Sequence, residues 1–189
     1  MIPVILASGS PRRKELLATT NIPFTIINSA VDEVEKPGLA PSDLVQDLAS
    51  QKAAAVAEQY PNHIIIGADT LVFLGAERFG KPKDEHDACR MLTALSGTTH
   101  SVYTGVVLRY NQQSYGFTAC TNISFNQFDD DFIDQYIASG SPMDKAGSYG
   151  IQDLPPALIA KIDGEFDTVM GFPREAFKTA YDDFLKTII

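Results

Sequence analysis

Three separated stretches hold residue types suited to polyanion chemistry. Ser8-Gly9-Ser10-Pro11-Arg12-Arg13-Lys14 sets two hydroxyls and three cations after an apolar run. Ser10 suits an N-cap and Pro11 the first helical position, so this stretch reads as a strand-to-helix turn. A helix N-terminus carries partial positive charge and unpaired N–H groups, and three cations in its first turn oppose that dipole. A nearby anion, with phosphate the obvious choice, makes the arrangement tolerable. A solvated basic turn paired to local carboxylates is the alternative. Asp69-Thr70 ends the apolar run Ile64-Ile65-Ile66-Gly67-Ala68. In open α/β sheets ligands bind outside such strand ends. A carboxylate there can hold magnesium or take a proton from water, or simply bond its own turn. Lys52 falls on or beside a helix face made by Val45, Ala49, Ala53 and Val56. It either snorkels to solvent or points its ammonium into a cleft.

Other segments are less telling. Gly75-Ala76-Glu77-Arg78-Phe79-Gly80-Lys81 fits the spacing GxxxxGK, but Pro82 stands where a phosphate-binding loop needs Ser or Thr. The motif is rejected, and Lys81 remains a lone loop cation able to contact phosphate. Met143 to Gln152 is a glycine-containing polar loop, functional or structural. His100 is assigned to structure, and Asp129-Asp130-Asp131 to a helix N-terminus. His63, His86 and His100 lack zinc-site spacing. Cys89 and Cys120 form no CxxC pair and read as reduced thiols of a cytosolic protein.

These residues need a scaffold. Residues 2–7 read as a buried strand, followed by a helix from Pro11 to about Thr20 and a strand at 24–27. A helix spans 41–60, and an apolar strand starting at Ile64 breaks at Asp69 before an extended 71–74. Asp84 caps a helix with Ala88, Met91, Leu92 and Leu95 on one face. Residues 100–110 and 114–126 form a hairpin. A helix near 129–139, a strand at 157–162 and a C-terminal helix bearing Phe177, Ala180, Tyr181 and Phe184 complete the chain. The pattern predicts a mixed sheet with helices on its faces. With 189 residues the chain suits one domain and buries a core without disulfide or zinc staples. The net charge of −9 argues against a nucleic-acid polymer as partner, but not against a small anion met by a local cationic cluster. No signal peptide or membrane-spanning run is visible.

Seven motifs in order give the chain its resemblance to the Maf family of nucleoside-triphosphate pyrophosphatases. They are Leu6-Ala7-Ser8-Gly9-Ser10-Pro11-Arg12-Arg13, Val31-Asp32-Glu33, Gln51-Lys52-Ala53, Gly67-Ala68-Asp69-Thr70, Gly80-Lys81-Pro82, Leu95-Ser96-Gly97 with His100 and Val102, and Asp144-Lys145-Ala146-Gly147 leading to Tyr149-Gly150-Ile151-Gln152. The resemblance implies a single domain over 1–189 with an α/β fold: a twisted mixed sheet with flanking helices, two lobes around a cleft, similar to inosine-triphosphate pyrophosphatases. It implies hydrolysis of dTTP and UTP, and of modified pyrimidine nucleotides, to the monophosphate and pyrophosphate with a divalent cation, Mg2+ or Mn2+. Asp69 matches the proton acceptor. Arg12, Thr70 and Gln152 match positions tied to substrate choice. Glu33, Lys52 and Lys81 match polar residues around phosphate and metal. Ser8, Ser10, Arg12, Arg13, Lys52 and Lys81 are therefore expected to hold phosphate, and Glu33 with Asp69 the metal. Gln152 offers one donor and one acceptor to the carbonyl and N3–H of uracil or thymine. A cytoplasmic site and a homodimer are further implications. A non-catalytic nucleotide-binding regulator of cell division is the rival reading.

Overall fold

The computed structural model describes residues 2–189. Its strands are β1 (Val4–Leu6), β2 (Phe24–Ile26), β3 (Ile64–Leu74), β4 (Glu77–Phe79), β5 (Thr99–Tyr110), β6 (Gln113–Phe125) and β7 (Ile159–Asp163). Its helices are α1 (Pro11–Ala18), α2 (Pro41–Ala57), α3 (Glu85–Leu95), α4 (Asp130–Ala138), α5 (Phe166–Met170) and α6 (Arg174–Ile188). The strands make one mixed sheet in the order β2-β1-β3-β5-β6-β7, with β4 paired to β3. β1 is parallel to β2 and β3, while β4 is antiparallel to β3 and β7 to β6. The mixed α/β sheet with flanking helices is as expected.

The chain divides into two compact units. The first comprises residues up to Asp69, Thr104–Ala119 and Gly171–Ile189; the second comprises Thr70–Tyr103 and Cys120–Met170. In the first unit, α2 lays Ala49, Ala53 and Val56 on Ile5, Ala7, Ile65 and Val107 of the sheet. Two glycines let it lie close. A Cβ at Gly67 would stand 2.2 Å from the Ala49 carbonyl oxygen, and one at Gly105 would stand 2.6 Å from the Val45 carbonyl. In the second unit, Ala88, Met91, Leu92 and Leu95 of α3 pack with Ile133, Tyr136 and Ile137 of α4 and with Val102, Ile123 and Phe125 of the sheet. Side chains cap both helices: Asp84 accepts from the Asp87 amide at 2.8 Å and Asp129 from the Phe132 amide at 2.7 Å.

Three local expectations need correction, and one rejection holds. β3 does not break at Asp69 but runs on to Leu74, because Leu71, Val72 and Phe73 are buried and β4 pairs with residues 72–74. The rejection of the GxxxxGK phosphate loop holds: that spacing is a β-hairpin turning at Gly75 (φ +59°), and α3 begins only at Glu85. The last strand starts at Ile159 and is preceded by four short 3-10 turns between Ser141 and Leu158. α1 stops at Ala18, where the hydroxyls of Thr19 and Thr20 donate back to the carbonyls of Leu16 and Leu17 at 2.7 Å.

Candidate active site

The first unit builds a charged cluster around one lysine. Lys52 leaves α2 and its ammonium bonds Asp69 Oδ1 on β3. The same ammonium lies 3.1 Å from Glu33 Oε1, on the loop between β2 and α2. Asp69 is buried and the Lys52 side chain is 13% exposed, so this lysine does not snorkel to bulk solvent. Charges withdrawn from water must be paired, and one ammonium here serves two carboxylates.

Asp69 stands mid-strand, yet it stands at a strand end in another sense. β1 stops at Leu6, which pairs with Ile66, and the Ala7 amide donates the last bond to the Ile66 carbonyl at 2.8 Å. The chain then leaves the sheet through Ser8 into α1. The carboxylate three residues past Ile66 therefore lies beyond the carboxyl end of β1, where parallel sheets bind ligands.

The turn after β1 is organised by its own hydroxyls. Ser10 caps α1 by accepting from the Arg13 amide. Ser8 Oγ accepts from the Ser10 amide and from Arg13 Nη1, both at 3.2 Å. Arg13 Nε donates to the Gly171 carbonyl at 3.0 Å, which ties α1 to the segment before α6. Burial lowers the Arg13 pKa, and Arg12 adds to that, while the negative fields of Asp69 and Glu33 oppose it. A guanidinium remains charged in such a setting. The first unit thus brings together Ser8, Ser10, Arg12, Arg13, Glu33, Lys52 and Asp69.

The remaining residues belong to the second unit. Thr70 follows Asp69 on β3. Lys81 is exposed on the loop after β4, and Gln152 is exposed in a 3-10 turn, Ile151–Asp153. Their loops are joined, since the Gly147 amide donates to the Gly80 carbonyl at 3.0 Å. Lys145, buried, donates to the Ser141 carbonyl at 2.6 Å and to Asp144 at 2.8 Å, and lies 3.6 Å from Asp153. His100 is structural as expected: it is 2% exposed, with Nε2 at 2.7 Å from the Tyr149 hydroxyl. Burial alone pushes its pKa down to about 4. Burial also raises the pKa of Tyr149, so the pair is neutral. The Tyr136 hydroxyl accepts from the Gly150 amide at 2.9 Å. Sequence reasoning missed these anchors of the Gln152 loop, although their aromatic residue types were in view.

Glu33 and Asp69 are two carboxylates, and no group of three or more His, Cys, Asp or Glu residues suited to a metal occurs among the described residues. Two carboxylates fit a magnesium ion that takes its other ligands from water and substrate phosphates. Lys52 occupies one oxygen of Asp69, and a carboxylate offers about four acceptor positions, so capacity for such a ligand remains. Cavity size is no guide to this site. A cavity of about 780 Å3 among Ala54, Glu58, Arg109, Tyr110 and Ile188 includes none of these residues.

A family model described as Maf-like protein matches residues 3–184. The chain belongs to the Maf family. It is 46% identical over 170 residues to a protein of Bacillus cereus (strain B4264) named dTTP/UTP pyrophosphatase, covering 90% of this chain and 89% of that one. A Bacillus cereus (strain AH187) protein of the same name is 48% identical with the same coverage. Among solved structures, the Staphylococcus aureus Ham1 protein is 12% identical with a TM-score of 0.46, covering 65% of this chain and 71% of that one. The described residues include no helix long and apolar enough to cross a membrane.

Proposed function

We propose that this Maf protein is a pyrophosphatase that hydrolyses dTTP and UTP to the monophosphate and pyrophosphate. One observation carries the reading: Lys52 bonds the buried Asp69 and the loop carboxylate Glu33 beside the cationic turn of Arg12 and Arg13. The names and coverage of the Bacillus cereus relatives support the substrate.

The chemistry follows from charge. Hydrolysis adds water to the α-phosphorus and breaks its bond to the bridging oxygen, and pyrophosphate leaves. Negative charge grows on the non-bridging oxygens and the leaving group, and placed cations stabilise it. Arg12, Arg13 and Lys52 supply that charge, and Lys81 is a further phosphate contact by its residue type. Ser8 and Ser10 brace Arg13 and α1 through their hydroxyl oxygens, and their O–H groups donate to phosphate. Asp69 accepts the proton of the attacking water. Glu33 and Asp69 would hold a divalent cation, Mg2+ or Mn2+, which supplies charge neutralisation and a more acidic water when bound. Gln152, Arg12 and Thr70 set base preference. The whole chain acts as one catalytic domain in the cytoplasm, and a homodimer fits the family. Removal of modified pyrimidine triphosphates is the corresponding role.

The test is product analysis. With dTTP and Mg2+ the protein should release pyrophosphate and dTMP in equal amounts. Asp69→Asn should lower kcat by roughly 10²–10⁴, the range for loss of a positioned base. Release of orthophosphate would refute the cleavage point, and full turnover by Asp69→Asn would remove Asp69 from the chemistry.

A further inference from the structure

Glu33 lies on a segment that packing does not hold. Residues 28–37 adopt no helix or strand, and residues 32–40 are exposed throughout, with Val34 68% exposed. Lys36 and Leu39 of this loop line a cavity of about 340 Å3 together with Asp43, Asp47 and Ser50 of α2. With so little burial, hydrophobic contact cannot fix where the Glu33 carboxylate sits. Two side chains on one ridge of α2 do so instead, four residues apart and hence neighbours on the helix surface. Gln51 Oε1 accepts from the Val34 amide at 2.9 Å, and Gln51 Nε2 donates to the Val34 carbonyl at 2.8 Å. This is the pairing of a strand neighbour, made by one side chain. Gln51 Nε2 also donates to Asp47 Oδ2 at 2.7 Å, and the other Asp47 oxygen bonds Lys36. The amide orientation is thereby fixed. A flipped amide would set its NH2 against the Val34 N–H and its carbonyl against the Val34 carbonyl and Asp47.

We infer that Gln51 is a positioning residue for the reaction: by clamping both polar groups of the Val34 backbone, it sets the neighbouring Glu33 against Lys52 and Asp69. This inference rests on the proposed role of Glu33. Without the clamp the loop keeps its Lys36–Asp47 ion pair, whose exposed setting makes it weak. Glu33 then samples positions away from Lys52. Misplacement of a reacting group by about 1 Å can lower the rate by as much as 10²-fold.

Gln51→Met preserves length and helix propensity but removes every bond of the clamp. It should lower kcat for dTTP about 10-fold, a change of 1.4 kcal/mol, and raise the Mg2+ concentration for half-maximal rate. KM for dTTP at saturating Mg2+ and the thermal midpoint should stay near those of the parent. The same substitution in a Glu33→Gln background should cause no further loss, because residues acting through one group are not additive. Binding of Mn2+ without substrate, followed by its electron-spin signal, should weaken in Gln51→Met alone and change no further in the double variant. Equal losses from Gln51→Met in both backgrounds, or an unchanged kcat, would overturn the inference. If Glu33→Gln itself keeps full activity, the role given to Glu33 fails first. Should Gln51→Met fold poorly, Gln51→Ala serves the same cycle.

Discussion

Gly67 sets the distance between α2 and β3, so Gly67→Ala should damage the site without touching any charged group. An added methyl would lie 2.2 Å from the Ala49 carbonyl oxygen, 2.9 Å from the Ala53 Cβ and 3.0 Å from the Ala53 amide nitrogen. Ordinary contact begins at 3.4 Å. The helix must therefore rise by about 1 Å, because backbone atoms have no rotamer to yield and packed interiors hold little slack. Overpacking of this kind costs roughly 1–3 kcal/mol. For a domain of this size that lowers Tm by about 2–4 °C per kcal/mol. Lys52 precedes Ala53 and rises with it, so its ion pair with Asp69 on β3 lengthens, while Glu33, on the loop that Gln51 ties to α2, moves with the helix. By the same 1 Å argument kcat should fall up to ~10²-fold. Urea unfolding and pyrophosphate release on the same sample test both parts. A stable Gly67→Ala with full turnover would refute the claim that this close approach places Lys52. A destabilised variant with normal kcat would show that the helix moves without Lys52 losing its partners.

Two further outcomes follow from the second unit. Gln152→Ala should flatten the preference for UTP over CTP, since an unpaired amide position is worth about 1–3 kcal/mol at most; an unchanged ratio in competition assays would remove Gln152 from base recognition. His100, held near a pKa of about 4 by burial, binds its proton more readily unfolded, near 6.5. Its neutral burial is therefore stable above pH 6.5 and loses stability as pH falls through that value toward 4, by about 2 kcal/mol at pH 4.5. Urea midpoints at pH 7 and 4.5 should show this loss, and His100→Gln should reduce it; equal slopes for both proteins would contradict the assignment.

What the sequence made legible was local or periodic. The Ser10-Pro11 start of α1 could be read because a cap and a fixed φ need only neighbouring residues. The faces of α3 and α6 could be read because burial repeats with the helical period. β4 was hidden inside a spacing that imitates a phosphate loop, and only its pairing with residues 72–74 reveals it. The turns between Ser141 and Leu158 have no period, and long-range bonds such as Gly147 to Gly80 hold them. Gln51 stood in the Gln51-Lys52-Ala53 motif but without a role: a polar residue on a helix ridge looks the same whether it meets water or a backbone.

Lys52 is the instructive case, because the sequence left its direction open and the topology closes it. β2 and β3 both run parallel to β1, so α2, which connects them, must run back against β3. A helical side chain leans toward the helix N-terminus. On α2 that lean points along β3 toward its C-terminal end. Gly67 and Asp69 are two apart on β3 and share one face, and Gly67 is the point where α2 touches that face. A lysine one residue before Ala53 therefore has one place to send its ammonium: past the contact, to the carboxylate two residues further along the strand. An apolar residue at position 52 would leave Asp69 buried without its partner. A charge in that state costs several kcal/mol, so the pair proposed to meet the triphosphate also decides whether the fold tolerates its own acid.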